Sequence, residues 1–224
     1  MKSFAVSSGR NIKALKIEAV LRDALNVKDL SGYSILDIGA GSGHISSFFS
    51  SKNRVVAADV VNQICIIEPN FSFVELNQEK LPFESSFFDV VILNQVLTYV
   101  ADQLNELKEV NRILKPGGIC YISMPNKTFP IEPHSKVPFI HYLPHELYQL
   151  ILNFITKSKT EVRMHKSKGM IDLFVKSGFS AEDYTVEILS NPSKYYIKSF
   201  LRLPSWRWIS NISPTNIFIL KAKL

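Results

Sequence analysis

Ile35-Leu36-Asp37-Ile38-Gly39-Ala40-Gly41-Ser42-Gly43 is the stretch on which the reading of this chain turns. A short apolar run ends in glycines at every second position. Glycine accepts the backbone angles of a sharp turn at a strand end, and it lets N–H groups approach a ligand at the positive N-terminus of the next helix. The spacing does not match a dinucleotide turn of the form G-x-G-x-x-G. Counted from Gly39, the sixth place is His44, and no P-loop lysine follows. NAD is thereby disfavoured and a Walker site excluded.

Two acids sharpen the reading. Asp37 stands two residues before the first glycine, where a carboxylate suits a ligand that presents an ammonium or sulfonium. Asp59 closes the next apolar run, at the distance from which an acidic side chain reaches ribose hydroxyls. Glycines and acids together describe S-adenosylmethionine (SAM) better than any pyrophosphate. A loop carboxylate and a helix cap would account for each acid singly, but not for the arrangement.

Working outward, Tyr33–Ile38 and Val55–Ala58 read as buried strands flanking a helix from Gly43 to Ser50. Ile17, Val20, Leu21 and Ala24 recur at helical spacing within Ser8–Leu25. Phe71–Leu76, Phe88–Leu93 and Ile119–Ser123 supply three further strands. Between the last two, Leu104, Leu107, Val110 and Leu114 form a helical stripe stopped by Lys115-Pro116-Gly117-Gly118. Leu147, Leu150, Ile151 and Phe154 mark another helix, and Met170, Leu173 and Phe174 one more; Tyr184–Leu189 and Asn216–Leu220 read as the last two strands. The alternation predicts a doubly wound α/β fold with a seven-stranded, mainly parallel sheet whose ligands lie at the carboxyl ends of the strands. The expected organisation is one domain over 1–224, with a helical lead-in at 1–30, a cap insertion at 124–165 and an aromatic, basic insertion at 191–215.

The chain resembles the class I SAM-dependent methyltransferases, in particular the branch that includes the ubiquinone and menaquinone methyltransferases. The resemblance runs from Ile35 to Asn126. Besides the glycine turn and Asp59, it comprises Asn77-Gln78-Glu79-Lys80-Leu81-Pro82-Phe83, Ser86-Phe87-Phe88-Asp89-Val90-Val91 and Arg112-Ile113-Leu114-Lys115-Pro116-Gly117-Gly118. It implies that Asp37, Gly39 and Gly41, with Ala40 and Gly43 beside them, hold the amino-acid part of SAM. Asp59 and neighbouring Val60 would meet the ribose, Asn77 or its rival Gln78 the adenine, and Asn94 and Gln95 the pocket floor. The family commonly has Asp where Asn77 stands; an amide oxygen accepts the same hydrogen bond. The short path from Asp59 to Phe71 leaves little room for a full helix after the second strand.

The acceptor side is read from the segment after the fifth strand. Pro125 to His145 carries Glu132, His134 and His141 on a proline-stiffened loop that overhangs the strand ends. Methyl transfer requires alignment and exclusion of water, and needs a base only when the acceptor is a poor nucleophile such as a hydroxyl. His134 is the expected base or acceptor-binding residue, with Glu132 and His141 assisting; solvent-facing histidines are the plain alternative. These three lack the compact ligand spacing of a metal site, so no metal is expected. Tyr99 lies where the loop after the fourth strand faces the methyl group, in a packing or a substrate role. The acceptor is expected to be a small molecule or lipid- or glycan-linked, methylated at oxygen. Carbon methylation of a quinone precursor and a non-catalytic SAM-fold subunit stand as alternatives.

Charge is uneven. Residues 1–156 carry 14 basic and 15 acidic groups, residues 157–224 carry 12 and 5, so the net +6 resides at the C-terminal end. Within 191–208, Lys194, Tyr195, Tyr196, Arg202, Trp206 and Trp208 interleave cations and aromatics, a composition suited to an anionic membrane surface or to closing the pocket. The modest basic excess and the lack of an RNA-binding module argue against nucleic acid. No run approaches the ~18 apolar residues of a membrane span, and Met1–Arg10 lacks a signal-peptide pattern. The expectation is a cytoplasmic protein, peripheral to the membrane at most. Cys65 and Cys120 sit singly in apolar surroundings and are expected to be buried thiols.

Overall fold

The computed structural model describes residues 2–66, 70–77, 80–197 and 213–222, with backbone alone for residues 2–10. Seven strands form one sheet: β1 (Ser34–Ile38), β2 (Arg54–Asp59), β3 (Phe71–Glu75), β4 (Phe88–Asn94), β5 (Leu114–Pro125), β6 (Phe179–Asp183) and β7 (Thr215–Ala222). Their order is β3-β2-β1-β4-β5-β7-β6. β1 to β5 pair in parallel, and β7 runs antiparallel to both of its neighbours. The helices are α1 (Lys2–Leu25), α2 (His44–Ser50), α3 (Gln103–Ile113), α4 (His145–Thr156), α5 (Ser167–Lys176) and α6 (Thr185–Ser190).

The central strands are near-continuous apolar runs because both of their faces are covered. Alternate residues serve opposite faces. Ile35, Val90, Ile92, Ile119 and Tyr121 pack with Ile17, Val20 and Leu21 of α1 and Phe49 of α2. Leu36, Val91, Leu93, Cys120 and Ile122 pack with Leu107, Val110 and Ile113 of α3 and with Met170 and Phe174 of α5. The order places the carboxyl ends of β1 and β4 side by side at the reversal of the winding, where a doubly wound sheet opens a crevice. No helix forms between β2 and β3 among the described residues, in keeping with the short connection.

Three expectations are corrected. Tyr184–Leu189 is not a strand: α6 occupies Thr185–Ser190, and the edge strand is the preceding Phe179–Asp183. Ser180 and Glu182 of that edge strand face solvent, which erased its apolar signature, whereas Tyr184 and Ile188 are buried one helical turn apart. The helix stripe was extended one residue too far: α3 ends at Ile113, and Leu114 already pairs with Phe88 across an irregular register before Val90. α4 forms where expected; it buries Tyr148 and Leu152 against Val162 and Met164 and leaves Leu147, Leu150 and Phe154 exposed. Cys120 is buried as expected, but Cys65 is exposed, with its Sγ against the Ser42 carbonyl.

Phe174 and Phe218 are both fully buried and meet edge to face at 5.2 Å, joining α5 to β7. Phe174→Ala is expected to lower the unfolding free energy by about 3–5 kcal/mol, measured by urea denaturation.

Candidate active site

The glycine turn sits at the carboxyl end of β1, and its neighbours hold it closely. Gly39 N–H and Ala40 N–H both donate to the Ala58 carbonyl, and Gly41 N–H donates to Asp59 Oδ2 at 2.8 Å. The other Asp59 oxygen accepts from Val60 N–H at 2.7 Å. Gly39 has φ +72, and a Cβ built there would lie 2.2 Å from Val96 Cγ2, so both backbone and space demand glycine. Gly43, also at positive φ, caps α2.

A cleft of about 980 Å³ opens on this turn, lined among others by Gly39, Asp59, Val60, Asn77, Asn94 and Gln95. Six of the expected cofactor residues thus meet around one space. Ala40, Gly41 and Gly43 belong to the same turn without lining the cleft, and Gln78 lies outside the described residues. Asp59 uses one lone pair of each oxygen on the backbone, leaving the others for a pair of hydroxyls. The donor set therefore fits SAM: Asp59 for the ribose, Asn77 for the adenine, and the Gly39 turn for the amino-acid end.

Asp37 lies behind the turn rather than on the cleft wall. It is buried and accepts a 2.6 Å hydrogen bond from Ser46 Oγ on α2. Burial raises its pKa to about 7, the Ser46 bonds oppose this, and the nearby Asp59 carboxylate adds to the rise. No ion pair to Asp37 forms among the described residues, and a buried carboxylate without one attracts an incoming positive ligand.

Arg112 braces the loop after β3. Its guanidinium donates to the Leu81 and Phe83 carbonyls and to Glu109, which in turn accepts from Leu81 N–H. This explains why the Asn77–Phe83 and Arg112–Gly118 stretches occur together: the second holds the first in shape.

The segment between β5 and α5 packs against the loop that follows β4. Buried Asn126 starts it, bonding the Ser213 carbonyl and the backbone of Thr128. Arg163 ties its far end to the loop after β4 through the Thr98 and Ala101 carbonyls. Within it, Glu132 is fully buried and ionised: burial opposes the charge, yet hydrogen bonds from His134, from Ser135 Oγ and from the backbone N–H groups of Ser135 and His134 hold its pKa at about 2. His134 Nδ1 lies 2.5 Å from Glu132 Oε1. An ionised carboxylate only accepts, so Nδ1 carries the proton and Nε2 is left as an acceptor. Tyr99 Oη stands 2.7 Å from that Nε2 and donates to it. Tyr148 donates to the same Glu132 oxygen at 3.3 Å.

Expected and observed sites therefore meet only in part. Glu132 and His134 are joined, but neither lines the cleft; Tyr99, the outer end of their chain, does. His141 stands apart. It is buried, its Nε2 is hydrogen-bonded to the Lys127 carbonyl, and it lines a separate cavity of about 490 Å³ with Gln103, Lys127, Arg163 and His165. Ser135 and Tyr148, which position Glu132, carried no sequence signal beyond adjacency for the first and helix propensity for the second. Of the 191–208 surface, residues 198–208 lie outside the described residues. Tyr195 is buried and donates to Asp23 of α1, with Lys194 ion-paired to the same carboxylate.

The two buried carboxylates act on stability with opposite sign. Asp37 binds its proton more tightly folded than unfolded, so its contribution is complete below its ordinary value of 3.8 and is lost as pH rises through about 7. Its three-unit rise corresponds to on the order of 4 kcal/mol. Glu132 is depressed, so its contribution is present above 4.5 and is lost as pH falls through about 2. Urea unfolding is expected to show stability declining between pH 4 and pH 7, a decline flattened in Asp37→Asn. In Glu132→Gln the fall below pH 4.5 should flatten instead.

Comparison with known proteins agrees with this geometry. Residues 10–179 match the family model described as a methyltransferase domain. The ubiquinone/menaquinone biosynthesis C-methyltransferase UbiE of Vibrio cholerae is 30% identical over 177 residues, covering 68% of this chain and 66% of the relative. The chain thus matches just under two thirds of that relative's length. The demethylmenaquinone methyltransferase of Lactococcus lactis is 32% identical over 177 residues, covering 70% of this chain and 69% of its own. Among solved structures, a SAM-dependent methyltransferase from Mesorhizobium loti superposes with a TM-score of 0.62 at 14% identity, covering 87% of this chain and 93% of the other. The YcgJ protein of Bacillus subtilis does so at 0.60 and 15%, covering 95% and 99%; both likenesses concern the fold. With the seven-stranded sheet, the glycine turn and the Asp59 cleft in place, the chain belongs to the class I SAM-dependent methyltransferases.

Proposed function

We propose that this methyltransferase acts on a hydroxyl of a small-molecule or lipid- or glycan-linked acceptor, and that the Glu132–His134–Tyr99 chain removes the hydroxyl proton. The observation that carries the reading is that a buried, ionised carboxylate orients a histidine whose free nitrogen meets a tyrosine hydroxyl on the cofactor cleft. When bound, SAM supplies an electrophilic methyl group whose departure leaves a neutral thioether. Tyr99 accepts the acceptor's proton as its own passes to His134 Nε2, and Glu132 balances the resulting imidazolium. Tyr99 does not act as a free base: burial, and then the Glu132 charge, raise its pKa, so its hydroxyl serves as a conduit. Tyr148 and Ser135 position Glu132.

A second reading, carbon methylation of a quinone precursor, has support in the relatives: the Vibrio cholerae protein is named a ubiquinone/menaquinone biosynthesis C-methyltransferase and the Lactococcus lactis protein a demethylmenaquinone methyltransferase. A phenolic ring must also lose a hydroxyl proton before its carbon becomes nucleophilic, so the same chain would serve. The two readings differ in product and in the last proton step: after carbon methylation the ring sheds the proton of the attacked carbon as it rearomatises and its oxygen is reprotonated, whereas oxygen methylation releases the hydroxyl proton alone.

Calorimetric titration with SAM, S-adenosylhomocysteine (SAH) and NADH tests the cofactor reading. The two sulfur ligands are expected to bind and NADH is not. Asp59→Ala should weaken SAH by about 100-fold or more, since two charge-assisted bonds at about 1.5–3 kcal/mol each are lost. Absence of SAH binding by the folded protein would sink it. In an acceptor screen over glycan, lipid and quinone precursors, Tyr99→Phe and His134→Asn are each expected to reduce kcat by roughly 10²–10⁴ with SAH affinity unchanged. Unchanged kcat in both would remove the proton chain, and mass spectrometry of the product separates oxygen from carbon methylation.

A further inference from the structure

α4 is amphipathic in reverse. Leu147, Leu150, Ile151 and Phe154 fall at the i, i+3, i+4, i+7 spacing of one helix face. The helix nevertheless buries the neighbouring face, that of Tyr148 and Leu152, and presents Leu150 at 68% and Phe154 at 85% exposure. The loop that packs on it adds Phe139, 59% exposed, which is held at φ +65. That is a conformation a bulky L-residue adopts at a cost, and here it turns an aromatic ring toward water. Half of the large apolar side chains exposed among the described residues fall between Ile131 and Ile155. A cluster of this density on a soluble surface marks an interaction site.

We propose that this face of the β5–α5 segment docks on an anionic lipid bilayer. Charge complementarity selects that occupant. From Ile131 to Lys168 the chain carries six lysines and arginines against three glutamates, one of which, Glu132, is buried. Lys136, Lys157 and Lys159 are exposed, and none of the three is ion-paired among the described residues. Lys157 and Lys159 follow directly on the end of α4, where the stripe of leucines and phenylalanine ends. Exposed apolar side chains on one helix face, with exposed lysines just past the helix end, suit insertion at the headgroup boundary. No described helix is long and apolar enough to cross a membrane, so the contact is peripheral. The docking segment is the one that carries Glu132 and His134, so attachment would hold the mouth of the cleft at the lipid surface. The inference requires nothing about the acceptor, and cofactor binding is read separately from it.

The test is flotation of the full chain, with SAH present, on vesicles of phosphatidylglycerol mixed with phosphatidylcholine and on phosphatidylcholine alone, at about 0.1 M salt. Wild type is expected to float with the anionic vesicles. Leu150→Glu with Phe154→Glu should reduce partitioning roughly ten-fold or more, because the inserted side chains no longer leave water favourably. Lys157→Glu with Lys159→Glu should weaken binding and reduce its dependence on salt. Calorimetric SAH affinity is expected to stay unchanged in both pairs, which separates this result from a failure of the cofactor site. Leu150→Ser with Phe154→Ser repeats the test should the acidic pair fail to fold. No association of wild type with the anionic vesicles, or equal flotation of the Leu150/Phe154 variants, overturns the proposal. So does a wild-type dimer by light scattering that those variants convert to monomer, which would make the face a contact between copies.

Discussion

The turn after β1 is the constraint on which the rest depends. Gly39 must accept a positive φ while its Cα packs beneath Val96, and its N–H must reach Ala58 on the adjacent strand. Those demands bind three strands at one point: β1 supplies the turn, β2 the acceptor carbonyl and Asp59, and the loop after β4 the side chain that closes from above. Asp59 then fastens Gly41 with one oxygen and Val60 with the other. The carboxylate that faces the cleft is therefore also the bracket that shapes it, so its orientation is set before any ligand arrives.

A buried carboxylate organises the segment after β5. Among the described residues Glu132 has no lysine or arginine partner; it is held by backbone N–H groups, a serine hydroxyl, a tyrosine and a histidine. So many donors make burial of the charge tolerable. They also impose a direction on the histidine, because an acceptor at Nδ1 fixes the tautomer and leaves Nε2 toward Tyr99. Asp37, whose side chain is held by Ser46 among the described residues, is the contrasting case. One carboxylate is kept ionised by its surroundings and the other is left wanting positive charge.

Where sequence reading failed, the failures share a cause. β6 went unseen because an edge strand at the end of a sheet needs only one buried face, and Ser180 and Glu182 occupy the other. The apolar stripe of α4 was legible, but a stripe says only that a face is apolar, not that the fold covers it. The Lys115–Gly118 stop was legible too; that Leu114 already pairs with Phe88 was not, because strand registration depends on a partner far away in the chain.

By itself the sequence determined the sheet's class, the turn after β1 and six of the residues that meet around the cleft. Glycine conformations, strand periodicity and the separation of two acids are local properties, and local properties are written in consecutive residues. Only the tertiary structure decided that Glu132 is buried and ionised, that His134 reaches the cleft through Tyr99 rather than directly, that His141 belongs to another cavity, and that Phe154 faces water. Each of these depends on which surfaces the fold brings together across distant stretches of chain, and on the desolvation that results, which no neighbouring residue specifies.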